Sequence, residues 1–175
     1  LIENTLYFED GDLQIIGLPF LGKAMFYAIL PKGVDVNPKI DLEFLKSNKR
    51  KMSYQSVDIS LPKFKLEQEY DLVSNLYKMG IRLVFNDKMA DFSNMGHGDS
   101  YISKVFHKTF MDLEESGVEA AAATAVLMLK YCSSMIKEKP KPKVFNANHP
   151  FSFVITQDDK YDDIGTVLFM GKKVK

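Results

Sequence analysis

The side chains able to do chemistry in this sequence are few, and their settings argue against catalysis. Cys132 is the single cysteine, which excludes an internal disulfide. It stands in an irregular stretch, and no serine has the strand-turn-helix setting of a nucleophile elbow. Glycine-rich phosphate loops are absent. Asp87, Asp91, His97 and Asp99 share one polar run, residues 86–100. Their spacing matches neither a zinc site nor a calcium loop, and the run has ordinary turn chemistry. No residue is assigned a catalytic, metal-binding or cofactor role.

One stretch remains: Glu114-Glu115-Ser116-Gly117-Val118-Glu119-Ala120-Ala121-Ala122-Ala123-Thr124-Ala125-Val126. Alanine is the best helix former, so Ala120 to Ala123 favour helix. Val118, Thr124 and Val126 are β-branched and favour strand. Glu115-Ser116-Gly117 reads as a hinge, because glycine accepts nearly any backbone angle. Composition alone makes this a surface helix after a turn.

Three motifs, met in order, change that reading. Glu115-x-Gly117-x-Glu119-Ala-Ala-Ala-Ala-Thr124-Ala-Val126 resembles the proximal hinge of the reactive-centre loop of inhibitory serpins. Phe145-Asn146-Ala147-Asn148-His149-Pro150-Phe151-Ser152-Phe153 resembles the serpin signature that follows the loop. Leu168-Phe169-Met170-Gly171-Lys172 resembles the last strand of the family. The resemblance runs through essentially all 175 residues. It corresponds to the carboxy-terminal part of a single serpin domain, with the reactive-centre loop at about residues 115–143. The chain starts at Leu1 without a signal segment, so the amino-terminal half, with any secretion signal, is expected to lie outside it. The resemblance favours an extracellular location.

The resemblance implies a partial serpin fold of the α+β class: mixed and antiparallel sheets, few helices and an exposed loop. It also implies a protease inhibitor rather than an enzyme, one that is cut as a suicide substrate and then inserts its loop as an extra strand. A segment serving both states must be small, tolerable in water and able to pack inside a sheet. Ala120, Ala122 and Thr124 meet that demand on one parity, with Val118 and Val126 at either end. Ala121, Ala123 and Glu119 fall on the other, where water still reaches the carboxylate. Serpins often carry threonine at the position of Val118; valine has nearly the same shape and no charge. The family spacing from Glu115 puts the reactive bond at Tyr131–Cys132. The run from there to Pro150 is longer than usual, so Lys130 or a bond nearer Met135 remain open. Tyrosine suits a chymotrypsin-like or cathepsin-like pocket, hence a serine or a cysteine protease; Lys130 suits a trypsin-like one. The resemblance further places Leu61-Pro62-Lys63 where the chain passes from one sheet into another, and Lys63 and His107 at the gate where the main sheet parts, with Lys63 expected to pair with Glu115. Two alternatives stand beside this: a non-inhibitory serpin (carrier, chaperone or storage protein), or an inactive truncated fragment. The alanine run argues against the first.

The bulk properties fit a globular domain. The chain is 46% hydrophobic and 26% charged, enough for one core. Lys+Arg and Asp+Glu balance at 23 each, so no global field attracts nucleic acid or an anionic membrane. No apolar run reaches the ~18 residues of a bilayer span. No Asn-x-Ser/Thr acceptor occurs, which leans away from a glycosylated surface.

Around the loop the pattern is mostly strand. Leu13 to Phe20 and Ala24 to Gly33 read as a hairpin of buried strands. Asp41 to Lys46 reads as a short helix capped near Asn37-Pro38 or at Asp41, and Asn48-Lys49-Arg50-Lys51 as a solvated basic turn. Tyr54 to Tyr70 reads as one long strand bent at Pro62-Lys63, where the apolar parity slips. Asp71 caps a helix with Leu72, Val73, Leu76 and Met79 on one face, stopped by Gly80. Ser103 to Leu113 has apolar residues on both faces, as a strand covered on both sides would. By residue type alone, His107 within it is a hydrogen-bonded core histidine. The Lys-Pro alternation before Lys143 favours an extended segment. Phe151 to Thr156 and Thr166 to Met170 read as two buried strands joined by the acidic turn at residues 158–163.

Overall fold

The computed structural model describes residues 2–20, 24–33, 36–96, 100–114, 141–158 and 163–174. The described chain divides into two units, Leu1–Pro62 with Glu114–Lys175, and Lys63–Leu113. The expectation of mixed and antiparallel sheets with few helices holds, the first unit's sheet being mixed and the second's antiparallel.

The first unit is built on strands β1 (Ile2–Glu9), β2 (Leu13–Pro19), β3 (Ala24–Pro31), β4 (Ser53–Ser60), β7 (Lys143–Asn146), β8 (Phe151–Asp158) and β9 (Ile164–Lys173). They form one sheet in the order β7-β4-β1-β2-β3-β8-β9. All pairs are antiparallel except β4 with β7. The expected hairpin is β2–β3, in register from Leu13↔Pro31 to Pro19↔Met25. Apolar runs without alternation mark strands buried on both faces, and here Ile15, Ile16, Phe26 to Leu30 and Phe153 to Ile155 are all buried. One face carries a cluster of Leu13, Ile15, Tyr27, Ile29 and Val154 beneath Leu45 of helix α1 (Leu42–Lys49). Asp41 caps that helix, its Oδ1 accepting from the Phe44 N–H at 2.9 Å.

Three expectations need correction in this unit. The basic run 48–51 is not simply a solvated turn, because Asn48 and Lys49 are buried at the end of α1. They lie three and four residues after Leu45, on the same helical face. Tyr54 to Tyr70 is two strands in two sheets, since β4 ends at Ser60 and the next strand starts at Phe64. Proline 62, which cannot donate to a ladder, sits at the break. Finally, β9 is not buried: it is the sheet's last strand, with Leu168, Phe169 and Met170 exposed.

Gly171 has a packing reason to be glycine. It stands opposite Phe153 in the β8–β9 register, and a Cβ there would lie 2.5 Å from Phe153 Cζ. The Phe153 ring cannot easily retreat, being buried and stacked on Phe26 at a centroid distance of 6.0 Å. Gly171→Ala is therefore expected to cost about 1–3 kcal/mol by overpacking, read as a lower urea midpoint with unchanged m. An unaltered midpoint would show that the ring swings aside freely.

The second unit holds β5 (Phe64–Asp71), helix α2 (Val73–Lys78) and β6 (Phe106–Leu113). Asp71 Oδ1 accepts from the Val73 N–H at 3.1 Å. The expected stop at Gly80 is a Schellman motif: Gly80 has φ of +99°, and Ile81 N–H donates to the Leu76 carbonyl at 3.0 Å. On the expected apolar face Leu72, Val73 and Leu76 are half-buried, while Met79 is exposed. In the polar run after it, Asp91 Oδ1 accepts from the Ser93 N–H at 3.0 Å, which is turn chemistry. His97 and Asp99 lie outside the described residues.

Candidate functional site

The expected hinge (Glu115, Gly117, Val118, Glu119, Ala120 to Ala123 and Thr124) and the expected bait residues Lys130, Tyr131 and Cys132 all lie outside the described residues. What is described is each frame of that stretch: the strand before it, β6, and the strand after it, β7.

β6 pairs with β5 in an unbroken antiparallel register from Phe64↔Leu113 to Asp71↔Phe106. Among the described residues these two strands make a sheet of their own, so β6 has its second edge without a strand partner there. Alternate residues divide its faces. Leu113 and Phe64 are buried, Met111 and Leu66 half-buried, and the same face runs out to exposed His107 opposite Tyr70. The other face is laced by ion pairs: Lys65 Nζ lies 2.7 Å from Asp112 Oδ2, and Lys108 Nζ 3.0 Å from Glu67 Oε1. Such exposed pairs are worth about 0–1 kcal/mol each.

Two expectations for this strand change. β6 is not covered on both sides among the described residues, with Phe106 63% and Phe110 60% exposed. His107 is likewise exposed rather than a core histidine. The apolar parity that suggests burial is present, but the described residues supply no layer against that end of the strand. Lys63, exposed, directly precedes the Phe64 that pairs with Leu113. Of the two expected gate residues, Lys63 thus lies just before one end of the two-stranded sheet and His107 lies near the other end of its register. The expected partner of Lys63, Glu115, is outside the described residues.

The far frame is held differently. Phe145 of β7 is fully buried, and the Ala147 N–H donates to the Ser60 carbonyl at 2.9 Å. His149 Nε2 lies 2.6 Å from the Pro31 carbonyl oxygen, and Nδ1 2.9 Å from Asn148 Oδ1. The signature-like stretch 145–153 therefore ties the chain after the loop to both β4 and the end of β3.

Sequence reasoning missed Glu9. Lys143 Nζ lies 2.6 Å from its Oε1, and the Tyr7 hydroxyl donates to its Oε2 at 2.7 Å. These contacts, Lys143 first and Tyr7 second, hold the Glu9 carboxyl down at about 2. Burial first, and the bond to Glu9 next, push the Tyr7 hydroxyl up. No local signal marks this pair, since its members are 134 positions apart. Among the described residues no three His, Cys, Asp or Glu side chains come together as a metal-holding group.

The family model described as Serpin (serine protease inhibitor) matches residues 2–175. The chain is 35% identical over 178 residues to the leukocyte elastase inhibitor of Homo sapiens, covering 95% of this chain and 44% of that protein. It is 35% identical over 166 residues to serine proteinase inhibitor 2 of Cowpox virus (strain Brighton Red), covering 93% and 45%. Among solved structures it is similar to Serpin48, a highly specific serpin in the insect Tenebrio molitor. That likeness has a TM-score of 0.66 at 31% identity and covers 98% of this chain and 44% of that one. The chain thus spans less than half the length of each of these proteins. With its sheets in the expected arrangement and the match reaching from residue 2 to residue 175, the chain belongs to the serpin family.

Proposed function

We propose that this chain is the carboxy-terminal, loop-bearing part of an inhibitory serpin, which a serine protease cleaves near Tyr131 and which then traps that protease by strand insertion. The observation that carries this reading is a sequence suited to become an added strand, placed directly after β6. β6 pairs with β5 along one edge, and the other edge of such a strand can template one more. Soon after β6 ends at Leu113 comes Gly117, followed by small residues on one parity, Val118, Ala120, Ala122 and Thr124. A turn at Gly117 would lay them antiparallel along that edge. Alanine and threonine leave room for a strand to enter between packed layers, and Glu119 falls on the opposite parity. The inhibitor names carried by the relatives support the same reading.

The test is incubation of the full-length protein with a panel of chymotrypsin-like, trypsin-like and cathepsin-like proteases. At least one should give an SDS-stable complex, and the released peptide should begin at Cys132. Cleavage by every member of the panel without a stable complex would overturn the inhibitory reading; a peptide beginning at Tyr131 or Ile136 would move the bond.

A further inference from the structure

β7 is a weak strand by itself. It has four residues and, among the described residues, lies at the end of the sheet and pairs only with β4, from Val57↔Lys143 to Ser60↔Asn146. That pairing is parallel, the slightly less stable kind. Lys143 and Val144 are exposed. Their hold comes from elsewhere in the sheet. Lys143 Nζ reaches Glu9 Oε1 at 2.6 Å, and the Val144 carbonyl accepts from Gln14 Nε2 at 3.0 Å. Gln14 Nε2 also donates to the Tyr7 hydroxyl at 2.9 Å, and that hydroxyl donates to Glu9 Oε2 at 2.7 Å. The β1–β2 hairpin therefore presents one carboxylate and one amide, locked to each other by a tyrosine that is only 1% exposed. Together they engage one ammonium and one main-chain carbonyl at the start of β7. Two long surface side chains meeting by chance do not come so preorganised.

We propose that Glu9, Tyr7 and Gln14 form an anchor site for Lys143 and Val144, which fixes the distal end of the reactive loop independently of the β4 ladder. The three are positioning residues, since none needs to touch a protease. Anchoring itself is a property of the sheet; only its consequence rests on the function proposed above. With the distal end released, a longer stretch must be ordered when the protease binds the bait. Bait cleavage should then lose kcat/KM through KM while kcat holds.

Among the described residues the groups facing Glu9 are Lys143, the Tyr7 hydroxyl, Gln14 Nε2 at 3.4 Å from Oε2, and Lys32, whose Nζ is 3.9 Å from Oε2. The folded carboxyl lies at about 2 against a usual 4.5. Its contribution is therefore full above the usual value and is lost as pH falls towards 2. Glu9→Gln should show no such step in the protection of β7.

The experiment is hydrogen exchange of the Lys143–Asn146 amides in the full-length protein. Glu9→Lys and Lys143→Glu should each speed exchange there by roughly fivefold or more, the loss of a charge-assisted hydrogen bond. The combined Glu9→Lys/Lys143→Glu protein should return towards wild type, which a general packing defect would not do. Gln14→Ala removes the bond to the Val144 carbonyl without a charge change, and gives the same readout if Glu9→Lys does not fold. Unchanged exchange in these variants, or no rescue in the swap, overturns the anchor. If exchange responds while wild-type protein is merely a substrate for every protease, the anchor stands and the inhibitory reading falls.

Discussion

Replacing Asp158 with alanine is expected to destabilise the protein by about 3–5 kcal/mol, the cost of breaking a buried ion pair from one side. Asp158 closes β8, and its side chain is 9% exposed against 6% for its partner Lys49. One carboxylate oxygen accepts from Lys49 Nζ and from the Tyr27 hydroxyl, the latter at 3.1 Å. The other accepts from the Thr156 hydroxyl at 2.7 Å. Lys49 lies at the end of α1, where a cation also suits the helix dipole, and its Nζ sits 6.0 Å from the Tyr27 ring centroid. Alanine at 158 removes the counter-charge and the acceptor for two hydroxyls together. Asp158→Asn keeps an oxygen for one hydroxyl and should cost less. Adding Lys49→Met to Asp158→Ala should recover part of the loss, because the ammonium is gone while the bonds of Tyr27 and Thr156 to Asp158 stay lost. The order to check by urea denaturation is Asp158→Ala worst, with the double variant and Asp158→Asn nearer wild type. A cost below about 1 kcal/mol for Asp158→Ala would mean that water reaches the pair.

The sequence holds one sign of this clasp. The helical period that buries Leu45 returns to the same face at Asn48 and Lys49, so the inward turn of Lys49 is legible once period is weighed above charge. The acid it meets is not legible, since it lies 109 positions along the chain. The same division holds elsewhere. Strands β2, β3 and β8 announce themselves by unbroken apolar runs, because both of their faces are buried. β1 does not, with Asn4 at a φ of +68° beside an irregularity in its pairing with β4. β9 is as apolar as its neighbour yet largely exposed, for composition cannot tell a central strand from an edge. The slip at Pro62-Lys63 reads by itself only as a bend in one strand; that the chain passes into a second sheet there is what the family resemblance implied. Lys63 and His107 are singled out by the resemblance alone, whereas Glu9, Tyr7 and Gln14 become visible only when the fold brings them to β7.

Val118→Arg in the full-length protein is expected to turn the inhibitor proposed above into a substrate. Val118 is the first residue after Gly117 on the small-residue parity, so an inserting strand would carry its side chain from water into the sheet interior. Valine makes that passage favourably, by burying apolar surface. Arginine would take a guanidinium there with no anion in the alternation around it, since Ala120, Ala122 and Thr124 share its parity and Glu119 does not. Burying an unpaired charge costs several kcal/mol, and that cost falls on insertion alone. The bait near Tyr131 is unchanged, so recognition and the first cut should proceed at the wild-type rate. What slows is the step that must outrun hydrolysis of the acyl-enzyme. The stoichiometry of inhibition should therefore rise steeply while the cleavage rate holds, and the SDS-stable complex should give way to cleaved protein. Val118→Thr, close in shape and uncharged, should inhibit as wild type does. Equal inhibition by the Val118→Arg protein would mean that trapping, if it occurs, does not run through insertion of this parity beside β6.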